Sequence, residues 1–180
     1  MNQRNKIIKE VLIITLVSLI MGLIVNSVNP KGIPLVRDDS ERFKIDSASV
    51  QGNENKSVEK VKTKEGFVKP QNIPVETAKK LFDENVIFID GREDFEFKEG
   101  HIKGAINIPY KDFYTKTPEE KQKMLGDIGK EKTIVSYCGG DDCEISIDNA
   151  YEMAKIGYDD VKIYIGGYRE WNNLGYPVNK

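Results

Sequence analysis

The residues most able to do chemistry are two cysteines, because a thiol can act as a nucleophile, a redox partner or a metal ligand. They stand five residues apart in TIVSYCGGDDCEIS, as Cys138 and Cys143. Cys138 directly follows an apolar run, Thr133 to Tyr137. It is followed by Gly139, Gly140, Asp141 and Asp142, then by Cys143 and a helical pattern beginning near Glu144. Glycines in that position let the backbone curl with its N–H groups pointing inward. The new helix adds its free N–H groups and the positive end of its dipole. A thiol held in such a cradle ionises more easily, which is what a nucleophilic sulfur requires. An isolated cysteine at a strand end is more often a packing residue, but the Gly-Gly loop and the helix start shift the reading of Cys138 to a nucleophile. Cys143 has two readings. It is a resolving thiol that attacks a persulfide or sulfenic acid on Cys138 and closes a disulfide, or it packs inward from the first turn of the helix. A metal would have to recruit Asp141 or Asp142, and one histidine with two cysteines falls short of a four-ligand structural zinc site. No metal is expected.

The elements that must position these residues alternate strand and helix. Pro74 opens a helical pattern in which Val75, Ala78, Leu81 and Phe82 share a face, and Asn85 can end it. Val86 to Ile89 is a continuous apolar run, and Thr133 to Tyr137 and Val161 to Ile165 are runs of that kind interrupted only by Thr133, Ser136 and Lys162, the form of strands buried on both faces of a parallel sheet. Between the last two, Ile147, Ala150, Tyr151 and Ala154 recur at helical spacing. The expected class is α/β with a parallel sheet, and ligands of such sheets sit at the carboxyl ends of the strands. The residues of interest should therefore follow Ile89, Tyr137 and Ile165.

The 180-residue chain has a net charge of −2, which hides an uneven split. Residues 71–180 carry 15 Lys/Arg against 21 Asp/Glu, so they have no basic excess to track phosphates, and nucleic acid is not an expected partner. Residues 29–70 are polar, without a sustained period, and read as a linker; within them NPKGIPLV, Asn29 to Val36, reads as an extended juxtamembrane linker in preference to a segment packed at the lipid interface or on the domain. Val11 to Val28 is 18 residues without a charge, just long enough to cross a bilayer as a helix. Arg4, Lys6 and Lys9 precede it on a tail of residues 1–10. They resemble the charged region of a signal peptide, but Asn26 to Pro30 is a poor cleavage site, so an uncleaved anchor is expected. The cations on that short tail favour keeping it in the cytoplasm, with the soluble domain outside. Lys31, Arg37, Arg42 and Lys44 on the other side make the balance close.

Three motifs in order resemble the rhodanese-like domain family: FIDGREDFEFKEGHIKGAINIPY (Phe88 to Tyr110), IVSYCGGDDCEIS around Cys138, and IYIGGYREWNNLGYPV (Ile163 to Val178). The resemblance covers about Gln71 to Lys180. It implies a five-stranded parallel sheet with helices on both faces. It also implies a catalytic Cys138 that carries sulfane sulfur as a persulfide between a donor and a thiol acceptor, either of them small or protein-borne. No cofactor is implied. His101, the single histidine and a tempting general base, falls where the family has a structural histidine. Asp90 and Arg92 support the turn beside the loop, although Arg92 could also steer anions toward Cys138. Trp171, Tyr168 and Tyr176 read as aromatics of the last helix, and Gly166 and Gly167 as a tight turn.

The departures from the family pattern also matter. Active members commonly have arginine five residues after the cysteine, where it holds an anionic donor; here that position is Cys143, flanked by Asp141, Asp142 and Glu144. Repulsion between unit charges at ~4 Å is worth ~1 kcal/mol even in water. Thiosulfate is thus disfavoured as a donor, and phosphatase chemistry more so. Two function classes follow: a membrane-anchored sulfurtransferase working through Cys138, or a non-catalytic module that binds a partner or senses redox state through a Cys138–Cys143 disulfide.

Overall fold

The computed structural model describes residues 3–29, 33, 43–44, 62–140 and 143–180. They fall into two units, Met1–Asp39 and Ser40–Lys180.

The first unit is helix α1, Gln3–Val28, 26 residues with a mean hydropathy of 2.5 over its most apolar window. It starts earlier than the uncharged run at Val11, because Arg4, Lys6, Lys9 and Glu10 are good helix formers that extend the same ladder. At its far end Asn26 pairs with the backbone of Ile33. Its side-chain amide donates to the Ile33 carbonyl at 2.6 Å, and its Oδ1 accepts from the Ile33 N–H at 2.7 Å.

In the second unit a two-residue period sends strand side chains to opposite faces. In β5 (Ile134–Tyr137), Ile134 enters one core cluster, and Val135 and Tyr137 the other. β2 (Ile87–Asp90) and β6 (Val161–Tyr164) divide in the same way. With β1 (Gln71–Ile73) and β4 (Ile106–Asn107) they form a five-stranded sheet of order β1-β6-β5-β2-β4, every neighbouring pair parallel. Helices α4 (Tyr110–Tyr114), α5 (Pro118–Leu125) and α6 (Ile145–Lys155) cover the Ile134 face through Phe113, Leu125, Ile147, Ala150 and Met153. Helices α2 (Val75–Asp83) and α7 (Gly167–Asn173) cover the other face through Ala78 and Trp171.

Local chemistry sets the helix ends. α2 stops where Asn85 adopts φ 59°; the Asn85 N–H donates to Phe82 O and the Val86 N–H to Leu81 O, satisfying carbonyls that would otherwise have no partner. α5 begins on a reciprocal cap between Thr117 and Glu120, with Pro118 at its first position. Helix α3 (Asp94–Glu99) leads into β3 (His101–Ile102), which pairs antiparallel with β7 (Val178–Asn179) in a small second sheet that the apolar pattern did not announce.

Part of the segment assigned to a linker also belongs to the folded unit. Phe43 packs against the core of Ile134 and Ile147, Val68 is buried, and Phe67 meets Tyr151 edge to face at 6.0 Å. Residues 45–61 of that segment lie outside the described residues, as do Pro34 to Val36.

Candidate active site

Register brings the site together. Asp90 pairs with Tyr137 and Tyr137 with Tyr164, so β2, β5 and β6 end at one level. Three segments leave the sheet side by side there: Gly91–Arg92, Cys138–Gly140 and Ile165–Gly167.

Cys138 is fully enclosed, and its sulfur is bonded to that of Cys143 as a disulfide, with a Cα–Cα distance of 6.6 Å that lies in the range such a bond needs. In this state Cys143 is half-buried and paired with Cys138. The Cys138 sulfur also lies 3.3 Å from the carbonyl of Cys143 and 3.5 Å from the hydroxyl of Ser146. With the disulfide closed the sulfur has no proton to donate, so the Ser146 O–H is the donor toward it. Once reduced, a Cys138 thiolate would face that same hydroxyl at the first turn of α6. The helix begins at Ile145, one residue beyond Glu144, which caps it with its backbone but not with its side chain.

The loop's shape depends on glycine at both ends of a contact with α7. Gly140 has φ +106° and would drive a Cβ into the carbonyl of Gly166. Gly167 has φ +59° and would drive one into the backbone of Cys138 and Gly140. The close approach lets the Tyr168 N–H donate to Cys138 O at 2.8 Å and the Arg169 N–H to Gly139 O at 3.1 Å. The first turn of α7 is thus a clamp on the cysteine loop as well as a turn after the third strand.

Asp90 and Arg92 form a buried network behind the loop. The guanidinium gives Asp90 bonds of 2.6 to 3.2 Å, donates to Gly100 O at 2.8 Å and stacks 4.5 Å from the ring of Tyr168. Burial works to lower the Arg92 pKa, but the hydrogen bonds and charge of Asp90 outweigh it, and the pKa rises. A cation committed in this way holds the turn. Burial, and then the charge of Asp90, push the Tyr137 hydroxyl well above its ordinary range, so it stays protonated; it accepts from the Ile102 N–H at 3.2 Å. His101 is held elsewhere: Nδ1 lies 2.8 Å from Phe97 O and the ring stacks on Phe97 at 3.7 Å. Trp171 is buried and donates to Pro177 O at 3.0 Å.

Ser146, Asn107 and the Tyr168 amide were not among the residues singled out from the sequence. Asn107 donates to Asp90 O at 3.1 Å and to Arg92 O at 2.9 Å, closing the turn beside the loop. Ser146 comes from the first turn of α6 directly after the loop, whereas only the sheet register brings Asn107 and the Tyr168 amide beside it. Asp141 and Asp142 lie outside the described residues. Among the described residues no three His, Cys, Asp or Glu side chains cluster as a metal site would require.

Comparison with known proteins agrees with this geometry. Thiosulfate sulfurtransferase 16, chloroplastic, of Arabidopsis thaliana is 30% identical over 115 residues, 61% of this chain and 92% of that protein. A tRNA uridine(34) hydroxylase of Acholeplasma laidlawii is 40% identical over 72 residues, 39% of this chain but only 22% of its own length. The crystal structure of the BH2092 protein of Bacillus halodurans superposes with a TM-score of 0.51 at 26% identity, covering 60% of this chain and 75% of that one. The sequence profile of the rhodanese-like domain matches residues 74–174. With the parallel sheet and the glycine-bounded cysteine loop at its carboxyl edge, that match makes the chain a member of the rhodanese-like domain family.

Proposed function

We propose that the chain is a membrane-anchored sulfurtransferase that moves sulfane sulfur through a persulfide on Cys138. The observation that carries this reading is the position of the Cys138 sulfur. It stands at the end of the central strand, beside the Ser146 hydroxyl and the first turn of α6, in a loop tied down by α7. The reduced thiolate attacks the outer sulfur of a donor persulfide, the new S–S bond forms, and the donor's thiolate leaves. An acceptor thiolate then attacks the outer sulfur and frees Cys138. Cys143 in the usual arginine position, with acidic neighbours, points to a neutral or protein-bound persulfide or a polysulfide in place of thiosulfate. That the Arabidopsis relative is named a thiosulfate sulfurtransferase makes thiosulfate the donor to compare.

Helix α1 supports the anchor. Residues 11–28 rise ~27 Å, close to the hydrocarbon thickness of a bilayer. The hydroxyls of Thr15 and Ser27 return to carbonyls of their own helix at Val11 and Ile24, as lipid surroundings demand. The leading cations favour the folded domain on the extracytoplasmic side. Protease added to intact cells should then remove the domain, and protection until lysis would reverse the orientation.

The test of the reaction is the intact mass of the full chain, reduced in detergent and offered cysteine persulfide, polysulfide and thiosulfate separately. Gain of one sulfur atom in the wild type or in Cys143→Ser, absent in Cys138→Ser, is the expected result; no gain in either protein from any donor would end the sulfurtransferase reading. The Cys138–Cys143 disulfide favours a second reading, a non-catalytic module that senses redox state or binds a partner. Under that reading the bond opens and closes with ambient potential while no donor sulfur is taken up.

A further inference from the structure

We propose that Cys143 ends the life of the persulfide, so that the chain releases sulfane sulfur as hydrosulfide and draws the electrons from an external dithiol. This rests on the persulfide reading above and names its product and its second substrate.

The bond seen between the two cysteines joins the Cys138 sulfur itself to Cys143. If a persulfide is its precursor, that bond arises only by attack on the inner sulfur; attack on the outer one would move the persulfide to Cys143. The Cys143 thiolate attacks the Cys138 sulfur, the Cys138–Cys143 bond forms, the bond from Cys138 to the outer sulfur breaks, and that sulfur departs with the electron pair as hydrosulfide. The outer sulfur is reduced by two electrons and the two cysteines are oxidised to the disulfide. An outside acceptor thiol must first diffuse to the outer sulfur, whereas Cys143 is already within bonding distance of the Cys138 sulfur, so the intramolecular step has the advantage of proximity.

Burial also sets the direction of the return. Cys138 has no exposed surface and Cys143 is half-buried, so an incoming dithiol attacks the Cys143 sulfur and expels Cys138 as the thiolate. Ser146 lies 3.5 Å from that leaving sulfur, with a hydroxyl to donate to it. The second thiol of the reductant then attacks the mixed disulfide, freeing Cys143 and leaving the reductant oxidised. The partner is thus a dithiol, small or protein-borne, on the same side of the membrane as the domain.

The experiment uses the full chain in detergent, reduced, freed of reductant under argon and mixed with one equivalent of cysteine persulfide. Sulfide release is followed by colorimetry and the cysteines by peptide mass mapping. The wild type should release hydrosulfide in step with formation of the Cys138–Cys143 disulfide. Cys143→Ser and Cys143→Ala should both hold the added sulfur on Cys138 and release sulfide about tenfold more slowly or worse. Release from either variant at the wild-type rate overturns the proposal, as does a wild-type persulfide that persists while Cys143 can still be alkylated. If none of the three proteins takes up sulfur, the persulfide reading itself fails, and release fails with it. A dithiol reductase whose second cysteine is serine should be trapped on Cys143 of the oxidised chain; trapping on Cys138 overturns the direction of attack.

Discussion

The Tyr168 backbone N–H donates to the carbonyl oxygen of Cys138 at 2.8 Å, so the residue after the Gly166-Gly167 pair holds the residue that carries the sulfur. The approach is possible because Gly167, at φ +59°, presents no side chain to the loop. Gly167→Ala should therefore combine left-handed strain with a backbone clash and cost about 2 kcal/mol or more. Gly175 has a similar φ of +71° with nothing within 4 Å, so Gly175→Ala should cost only ~1 kcal/mol. Thermal melts of the two variants check this, at ~3–4 °C per kcal/mol for a domain of this size. Persulfide loading should be lost in Gly167→Ala and kept in Gly175→Ala.

The Asp90–Arg92 pair makes a different demand. Its side chains are 0% and 7% exposed, so Asp90→Ala leaves a buried guanidinium without its counter-charge and should cost about 3–5 kcal/mol. The Lys79–Asp83 pair is the control: Asp83 is 58% exposed, and Asp83→Ala should change stability by no more than about 0.5 kcal/mol. Urea unfolding of the two variants should separate them clearly.

Stability should also carry an acid limb from Glu152, which pairs with Lys121 and, at 2.7 Å, with Lys155. Burial works to raise its pKa, but the hydrogen bonds and charges of the two lysines outweigh it and hold the carboxyl below its ordinary 4.5. A depressed folded-state pKa means that the unfolded chain binds the proton first. The contribution is thus complete above about pH 4.5 and is lost as pH falls through the lower folded value. Glu152→Gln should be less stable than the wild type at pH 7, and its stability should fall less steeply below pH 4.5. Parallel denaturation curves across that window would exclude the assignment.

The acidic residues of the loop test donor choice. If Asp141 and Asp142 repel anions, Asp141→Asn with Asp142→Asn should raise thiosulfate turnover about tenfold for each ~1.4 kcal/mol relieved. The gain should shrink with salt, since exposed charges are screened within ~8 Å at physiological ionic strength. Neutral persulfide donors should change little. High thiosulfate turnover in the wild type, or a double variant that behaves the same at every salt concentration, would return thiosulfate as the donor.

Much of this protein could be read from sequence because the informative features are local. Largely apolar runs, broken only by Ser136 and Lys162, marked β2, β5 and β6, since a strand buried on both faces has little polar side to alternate with. Cys138, Gly139 and Gly140 followed by a helix pattern marked the loop, and the 18 uncharged residues from Val11 marked an apolar helix. The short β1 and β4 came only with the family resemblance, because two or three residues carry no period. β3 with β7 and the packing of Phe43 and Val68 were not legible, since each depends on partners far along the chain. At the site, types and spacing indicated a nucleophile and a second thiol but left Cys143 between pairing and packing. The three-dimensional structure set the rest: strand register placed Gly91, Cys138 and Gly166 on adjacent strand ends, α7 closed on the loop, and Ser146 and Cys143 were brought to the sulfur. Local sequence determines which conformations a segment prefers, whereas contacts such as Asp90 with Asn107, Cys138 with Tyr168 and Asp90 with Tyr137, 17 to 47 positions apart, depend on how the sheet is ordered, and that order is a property of the whole folded chain.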